Sequence, residues 1–487
     1  MTITIVGLGP GNPNHLTREA WEVLTQAGEL YVRTARHPTL AGLPAGLAVH
    51  SFDEIYETVH EFEQVYAAIV ERVLALGRRP QGVVYGVPGH PAIGEATVGL
   101  VRARAAAEAL PVRLVAGLSF IEPVLTALGL DALPNLQISD ALELAARHHP
   151  PFQPDAPALV AQLYSPAIAG DVKLTLMNQY PDEHQVALVH AAGTLDEQVE
   201  WLPLYELDRS AHIAHLTALF VPSLPQASAF ETLQDIVAHL RAPEGCPWDR
   251  EQTHSSLRAN LLEETYEVLE AIEADDPAAM REEFGDLLLQ VVLQSQIGLE
   301  AGEFTLAEVI AGLRAKLIRR HPHVFGDVKV RGVADVLDNW EKLKAAERGQ
   351  ATKPDRGTLG TVPRGLPALL QADTYQRRAG RVGFDWPDIT GVKAKVHEEI
   401  QEVEASTAGA AREDEIGDLL FATVNWARWL EVEPEAALRR ANAKFARRFA
   451  HMEAAARGQG RQLSQMSLGE LEALWEASKA AEAATGS

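Results

Sequence analysis

Near residue 225 the chain changes its hydrophobic period, and no single fold satisfies both halves. Upstream, the short apolar runs ITIVGLG (3–9), LYVRT (30–34), GVVYGVPG (82–89), VRLVAG (112–117), ALVAQL (158–163), QVALVHAAG (185–193) and HLTALFVP (215–222) alternate with helical patterns, and Gly and Pro punctuate their ends. Strands alternating with helices specify an α/β domain. Downstream the strand signal fades, and long patterns rich in Ala, Leu, Glu and Arg specify helices. VPSLPQAS (221–228) reads as a linker, and the polar stretch GQATKPDRGTLGTVPRG (349–365) divides the helical part in two. The full 487 residues exceed what one hydrophobic core supports, in line with several domains.

The two helical parts repeat each other. LLEETYEVLEAIEADDPAAMREEFGDLLLQVV and KVHEEIQEVEASTAGAAREDEIGDLLFATVNW both read E-E-x-x-E, a short break, then E-x-G-D-L-L. Each is followed by a basic helix with Lys and Arg four apart, Lys316 with Arg320 and Lys444 with Arg448. In the first repeat Glu264 and Glu267 share a helix face, as do Glu283 and Asp286. Between them Asp276 is suited to an N-cap and Pro277 to the first helical position, so the segment reads as an antiparallel helical hairpin. Leu261, Leu262, Tyr266 and Leu269, with Phe284, Leu287, Leu288 and Val291, are expected to give it a buried side. Glu399, Glu402, Glu415 and Asp418 repeat the carboxylate pattern. The leading acids Glu263 and Glu398 point about 100° away from their neighbours by helix geometry, and are expected either to support the ligands from behind or to face the substrate.

Four converging carboxylates repel one another unless a cation neutralises them, and oxygen-only donors suit Mg²⁺ or Mn²⁺ rather than zinc. A solvated acidic helix face is the plainer explanation of a single E-E-x-x-E. Recurrence of the whole unit, with its basic helix, argues against it. His321 and His323 flank Pro322 without a third ligand at zinc spacing, which leaves packing or phosphate contact.

The formal charge of −24 repels polyanions, so nucleic acid is not an expected partner, whereas a phosphorylated small molecule bridged by a divalent cation is. Cys246 is the single cysteine, no apolar run reaches membrane-spanning length, and MTITIVGLGPG lacks the features of a signal peptide. A cytoplasmic protein without a membrane partner is expected.

The stretch from about 230 to 455 resembles the MazG family of all-α nucleoside triphosphate pyrophosphohydrolases, in a form with two tandem repeats. Besides the carboxylate pairs, the matching pieces are GCPWDREQTHSSL (245–257), KLIRRHPHVFGD (316–327), VGFDW (382–386) and NAKFARRF (442–449). The resemblance implies that Glu264, Glu267, Glu283 and Asp286, and their counterparts Glu399, Glu402, Glu415 and Asp418, hold Mg²⁺. It implies that Lys316, Arg320, Lys444 and Arg448 contact the triphosphate, and that the second repeat can carry the activity while the first is mainly structural. Glu263 and Glu398 remain to orient water or take its proton. Trp248 and Trp386 are candidates to stack on a base, with burial as the plainer role.

In the first half, VGLGPGNPNHLT (6–17), YGVPGHPAIGEAT (85–97), VAGLSFIEPVLTALGL (115–130) and ALVAQLYSP (158–166) together resemble the tetrapyrrole methylase fold. This implies two α/β lobes with S-adenosylmethionine in the cleft between them, along Gly7, Gly9, Gly86, Val87, Pro88 and Gly89. GVPGHP lacks the acid of the G-D-P found in biosynthetic methylases, so methyl transfer does not follow from the resemblance, and a cofactor-sensing or scaffolding role is the alternative.

The expected organisation is therefore a methylase-like α/β domain (1–222), all-α helical-bundle repeats at 228–348 and 365–457, and a C-terminal helical tail (458–487). The expected function is Mg²⁺-dependent hydrolysis of NTP to NMP and pyrophosphate in nucleotide-pool cleaning, by a homo-oligomer formed through the helices. The rival functions are methyl transfer as the main activity, or a non-catalytic helical oligomerisation module.

Overall fold

In the computed structural model, residues 1–58, 62–336, 339–340, 343, 357–360, 362–363, 365–406 and 409–485 are described. Most of the 349–365 break and the boundary at 348 lie outside them. The chain divides into two compact units, Met1–Leu313 and Arg314–Ser487.

The first unit begins with the Val- and Ile-rich runs. Strands β1 (Ile3–Gly7), β2 (Glu29–Val32), β3 (Ala48–Ser51), β4 (Val83–Val87) and β5 (Val112–Val115) form an all-parallel sheet in the order β3-β2-β4-β1-β5. Parallel strands require crossovers, supplied by α1 (Arg18–Gln26), α2 (Asp53–Thr58), α3 (Phe62–Gly77) and α4 (Ala96–Ala107). Thr17 caps α1 by accepting from the Ala20 N–H at 3.1 Å, as its position before a helical run predicts. Alternation along β1 sends Ile3 and Ile5 into the core under α3 and α4, and Val6 into the core under α1.

After α5 (Ile121–Leu128) a second lobe follows, with α6 (Ala141–Ala145) and α7 (Pro166–Leu176). Its strands are β6 (Gln137–Asp140), β7 (Ala158–Ala161), β8 (Gln185–His190), β9 (Gln198–Pro203) and β10 (Thr217–Val221), ordered β6-β7-β10-β8-β9. The β6–β7 pair is parallel and the remaining pairs are antiparallel. Side-chain hydrogen bonds join the lobes: Asn12 donates through Nδ2 to the Gly193 carbonyl at 2.8 Å, and Gln162 through Nε2 to the Gly94 carbonyl at 3.3 Å.

The stretch 221–228, expected as a linker, is fastened. Leu224 N–H donates to the Pro154 carbonyl and its side chain packs on the second-lobe core. Asp155 then accepts from the backbone N–H groups of Ser228 (2.6 Å) and Ala229 (3.0 Å) and from the Thr232 hydroxyl (2.5 Å). It thereby caps helix α8 (Phe230–Arg241), whose own cap position, Ala229, carries no acceptor. Burial pushes the Asp155 carboxyl up, and the bonds from Ser228, Thr232 and Ala229 together outweigh it and hold the carboxyl below its ordinary range.

Helices α9 (Pro247–Glu251), α10 (Arg258–Glu273), α11 (Pro277–Glu300) and α12 (Leu306–Arg320) follow, with the unit boundary inside α12. Arg241 fixes α8 to α11 through a 2.6 Å ion pair with Glu300 and donates to the Asp249 carbonyl of α9. Val237, Leu257, Val292, Leu293, Ile297 and Leu306 form the local core.

The second unit contains α13 (Pro322–Phe325), α14 (Ala368–Arg381), α15 (Ile389–Ala405), α16 (Ala410–Trp429), α17 (Pro434–Gly458) and α18 (Leu468–Thr485). The segment expected as a tail packs back onto α17 through α18, where Phe445 meets Trp475 with ring centroids 5.3 Å apart. Among the described residues, no helix is long and apolar enough to cross a membrane.

Candidate functional site

The first carboxylate hairpin is built by α10 and α11. Its turn places Asp275 at φ 51° and uses Asp276 as N-cap, accepting from Ala278 N–H at 2.9 Å and Ala279 N–H at 3.2 Å, with Pro277 opening α11. The helices run back beside each other, and Glu264, Glu267 and Glu283 each bring one carboxylate oxygen within 4.8 Å of the others. Asp286 is exposed and not one of the converging three, but its charge reaches both Glu264 and Glu283. Glu264 is held above the ordinary carboxylate range by partial burial first, then by Asp286, Glu267, Glu263 and Glu283. Glu283 is raised by burial, then by Glu267, Glu282 and Asp286.

The second hairpin, α15 and α16, brings Glu399, Glu402 and Glu415 together to the same 4.8 Å limit. Asp418 is again exposed and outside the converging three. Here the structure adds a residue the sequence reading did not single out. Lys395 donates to Glu399 at 2.7 Å and to Glu398 at 3.0 Å, and these two acids push its pKa upward. Glu399 is buried, so this cation neutralises the innermost carboxylate of the set. Glu402 is still raised, by burial and then by Glu399, with Lys395 opposing. The position four residues before Glu264 holds Asn260 instead.

The expected buried side of the first hairpin is corrected. Leu261, Leu262, Tyr266, Phe284, Leu288 and Val291 are exposed, with Leu269 and Leu287 half-buried. The core runs instead through Val268, Ala271, Val292, Leu293 and Ile297. Burial of α11 is concentrated beyond Leu289, where α8 covers it; a two-helix hairpin alone cannot enclose the remaining apolar face. The second hairpin exposes Ile400, Ile416, Leu420 and Phe421 in the same way.

Lys316 is exposed and Arg320 half-buried in the last turns of α12. Lys444 is exposed on α17, whereas Arg448 is engaged, its Nε donating to Glu482 of α18 at 2.7 Å. Glu263 is exposed; Glu398 is exposed and held by Lys395. The plainer role of buried tryptophan fails for both candidates: Trp248 is 57 % and Trp386 43 % exposed. The Trp386 ring lies so close to Gly391 that a Cβ there would approach it to 2.5 Å. The turn carrying it is pinned by Asp385, which accepts from Arg428 at 2.6 Å and from the Trp429 ring N–H at 3.2 Å. Among the described residues, His321 and His323 join no metal-ligating group; their rings pack 5.7 Å apart.

In the first lobe, the glycines serve close crossing of three strand ends. Gly9 N–H donates to Gly89 O at 3.3 Å and Gly89 N–H to Gly9 O at 2.8 Å. A Cβ on Gly7 would lie 2.6 Å from Gly117 N and from Gly89 O, so the three loops touch only because the residues are glycine. Gly9 also has φ +73°, which disfavours any side chain there. Gly86 faces Leu8 and Leu30, and Val87 is wholly buried, so these two contribute backbone rather than side chains to the strand end, beside Pro88. At the lobe junction His15 crowds Gly193, and among the described residues His15 Nδ1 and Thr39 Oγ1 are buried without a hydrogen-bond partner. Orphaned polar atoms beside the turn at the C-terminal edge of a parallel sheet fit a site for a polar ligand.

Residues 2–208 match the tetrapyrrole (corrin/porphyrin) methylases, and residues 252–325 match the MazG nucleotide pyrophosphohydrolase domain. The YabN protein of Bacillus subtilis strain 168 is 42% identical over 494 residues, covering 99% of each chain. The nucleoside triphosphate pyrophosphohydrolase/pyrophosphatase MazG of Thermotoga maritima is 45% identical over 250 residues, 51% of this chain and 95% of that one. The nucleoside triphosphate pyrophosphohydrolase of Escherichia coli K12 is 44% identical over 252 residues, 50% of this chain and 95% of that one.

Proposed function

This chain belongs to the MazG family of nucleoside triphosphate pyrophosphohydrolases, carried behind a tetrapyrrole methylase domain, and on that premise we propose that it cleaves NTPs to NMP and pyrophosphate with Mg²⁺. The observation that carries the metal requirement is the pair of carboxylate triplets, each converging within 4.8 Å on a helical hairpin. All-oxygen donors on two rigid helices fit Mg²⁺, with Mn²⁺ as a substitute.

Glu399, Glu402 and Glu415, and in the first repeat Glu264, Glu267 and Glu283, would hold the ion, with Asp418 and Asp286 beside them. An ion held there would supply Lewis acidity toward the phosphoryl oxygens and the attacking water. The chain's own groups do the rest. Glu398 or Glu263 orients the attacking water and takes its proton. The water oxygen bonds to the α-phosphorus as the bond from that phosphorus to the bridging oxygen breaks. Lys444 with Arg448, or Lys316 with Arg320, stabilise the charge that collects on the leaving pyrophosphate. Trp386 and Trp248, braced yet exposed, are available to stack on the base. We assign turnover to the second repeat, where the three carboxylates and the organised Arg448 belong to one compact unit.

The exposed apolar residues of both hairpins support a homo-oligomer in which a second copy covers them. The glycine crossing and the orphaned polar atoms support S-adenosylmethionine binding between the lobes of the first half.

The test is a panel of NTPs with Mg²⁺ and identification of both products. Equimolar NMP and pyrophosphate, abolished by EDTA, is the expected result. Release of orthophosphate and NDP overturns the reaction, and turnover indifferent to EDTA overturns the metal role.

A further inference from the structure

We propose that Glu482, on the C-terminal helix, is the positioning residue for Arg448; this rests on the reading of Arg448 as a triphosphate contact. Glu482 Oε2 accepts from Arg448 Nε at 2.7 Å, and the guanidinium carbon lies 5.6 Å from the centre of the Trp475 ring. Trp475 and Glu482 are seven residues apart on α18, two turns on one helix face, so one side of one helix supplies both contacts. Phe445, one turn before Arg448 on α17, packs on Trp475 at 5.3 Å and fixes the ring in turn. The Arg448 side chain is left only 18% exposed. Arg447 lies 3.7 Å from the same carboxylate, so Glu482 is held from two sides.

The choice of atom matters. A guanidinium is a planar fork of five N–H donors, and the edge bearing its two terminal nitrogens matches a phosphate in two parallel bonds. Glu482 takes the Nε position and Trp475 one face. A phosphate approaching the terminal-nitrogen edge does not have to displace either. An unheld arginine in a chain of charge −24 has many carboxylates to visit and must give up its rotamer freedom on binding substrate. The helix beyond the second repeat is thus part of the site.

The experiment is a double-mutant cycle in the full-length chain, with Mg²⁺–NTP as substrate and kcat and KM measured separately. Glu482→Ala is expected to lower kcat/KM about tenfold, with the same kcat-to-KM split as Arg448→Ala, and to have no further effect in the Arg448→Ala background. Glu482→Gln keeps an acceptor for Nε without its charge and is expected within about threefold of the wild type. Should Glu482→Ala melt below the assay temperature, Glu482→Asp replaces it in the same cycle, with a loss of about fivefold expected to vanish beside Arg448→Ala. Equal losses in both backgrounds would mean general structural support and overturn the proposal. So would Glu482→Gln exceeding the wild type, which marks simple charge repulsion of substrate. Full activity of Arg448→Ala alone removes the triphosphate role of Arg448 and the positioning role with it, while product analysis of the wild type still stands.

Discussion

The α10–α11 and α15–α16 hairpins carry the same carboxylate pairs three residues apart and answer the same electrostatic problem differently. In the second, Lys395 sits among the acids and neutralises Glu399 from within. In the first, Asn260 stands at the matching position, and among the described residues Glu264, Glu267 and Glu283 form no ion pair. A resident ammonium offsets part of the repulsion among the acids, although Glu402 stays raised beside it. The cluster without one has only its own carboxylates, with Glu264 and Glu283 both raised, and gains the most from a cation drawn from solution. The difference teaches that a shared carboxylate pattern need not mean a shared resting state.

The largest effect that tests this comparison is catalytic. Glu402→Gln keeps shape and hydrogen bonding but removes one charge, and is expected to lower kcat about 10²-fold or more. Glu267→Gln is expected to cost less. Steady-state kinetics of both and of the double variant decide it. Equal partial losses would mean two working sites, and a large loss from Glu267→Gln alone would reverse the assignment. No loss in the double variant would leave both clusters as solvated acidic faces.

A sharper comparison exchanges the residues that differ. Asn260→Lys is expected to weaken divalent binding at the first hairpin about tenfold, and Lys395→Asn to tighten it at the second by a similar factor, since one nearby charge shifts such equilibria on the order of 1.4 kcal/mol. Mn²⁺ titration followed by electron paramagnetic resonance reads each site's affinity. Unchanged affinities would show that Lys395 withdraws once metal binds.

The smallest effect concerns the turns. Asp276 caps α11 with two backbone bonds, whereas Gly409 precedes α16 without a side chain to cap it. Asp276→Ala is therefore expected to destabilise the first hairpin by about 1 kcal/mol, a loss for which the second offers no counterpart. Urea unfolding would show it as a lower midpoint; an unmoved midpoint would mean that tertiary packing alone fixes the turn.

Much of this was legible from residue order. The α/β-to-helical change, the hairpin pattern and the Asp276–Pro277 start all depend on local periodicity and capping, which sequence states directly. Of the ten strands among the described residues, seven correspond to apolar runs, while β3, β6 and β9 carry no such run. All three lie at sheet edges, where AVHS, QISD and QVEWLP mix polar with apolar residues and need not be buried on both faces. Periodicity tells which apolar residues of the first hairpin share a face, not whether anything covers it. Lys395 was within reach, since Lys four residues before Glu is a helical pairing signal. Glu482 was not, because its partner lies on another helix 34 residues earlier.

The Asp155 clasp bears on the history of the chain. Its three hydrogen bonds supply what Ala229 lacks at the start of α8. A lineage that shed the first half would expose an uncapped helix at the entry to its helical part. A change of Ala229 to Ser or Thr repairs that end, and either is a single-nucleotide step from alanine. In a helical half cut free of the first, Ala229→Ser is therefore expected to restore the missing acceptor at the start of α8, worth about 1 kcal/mol of stability.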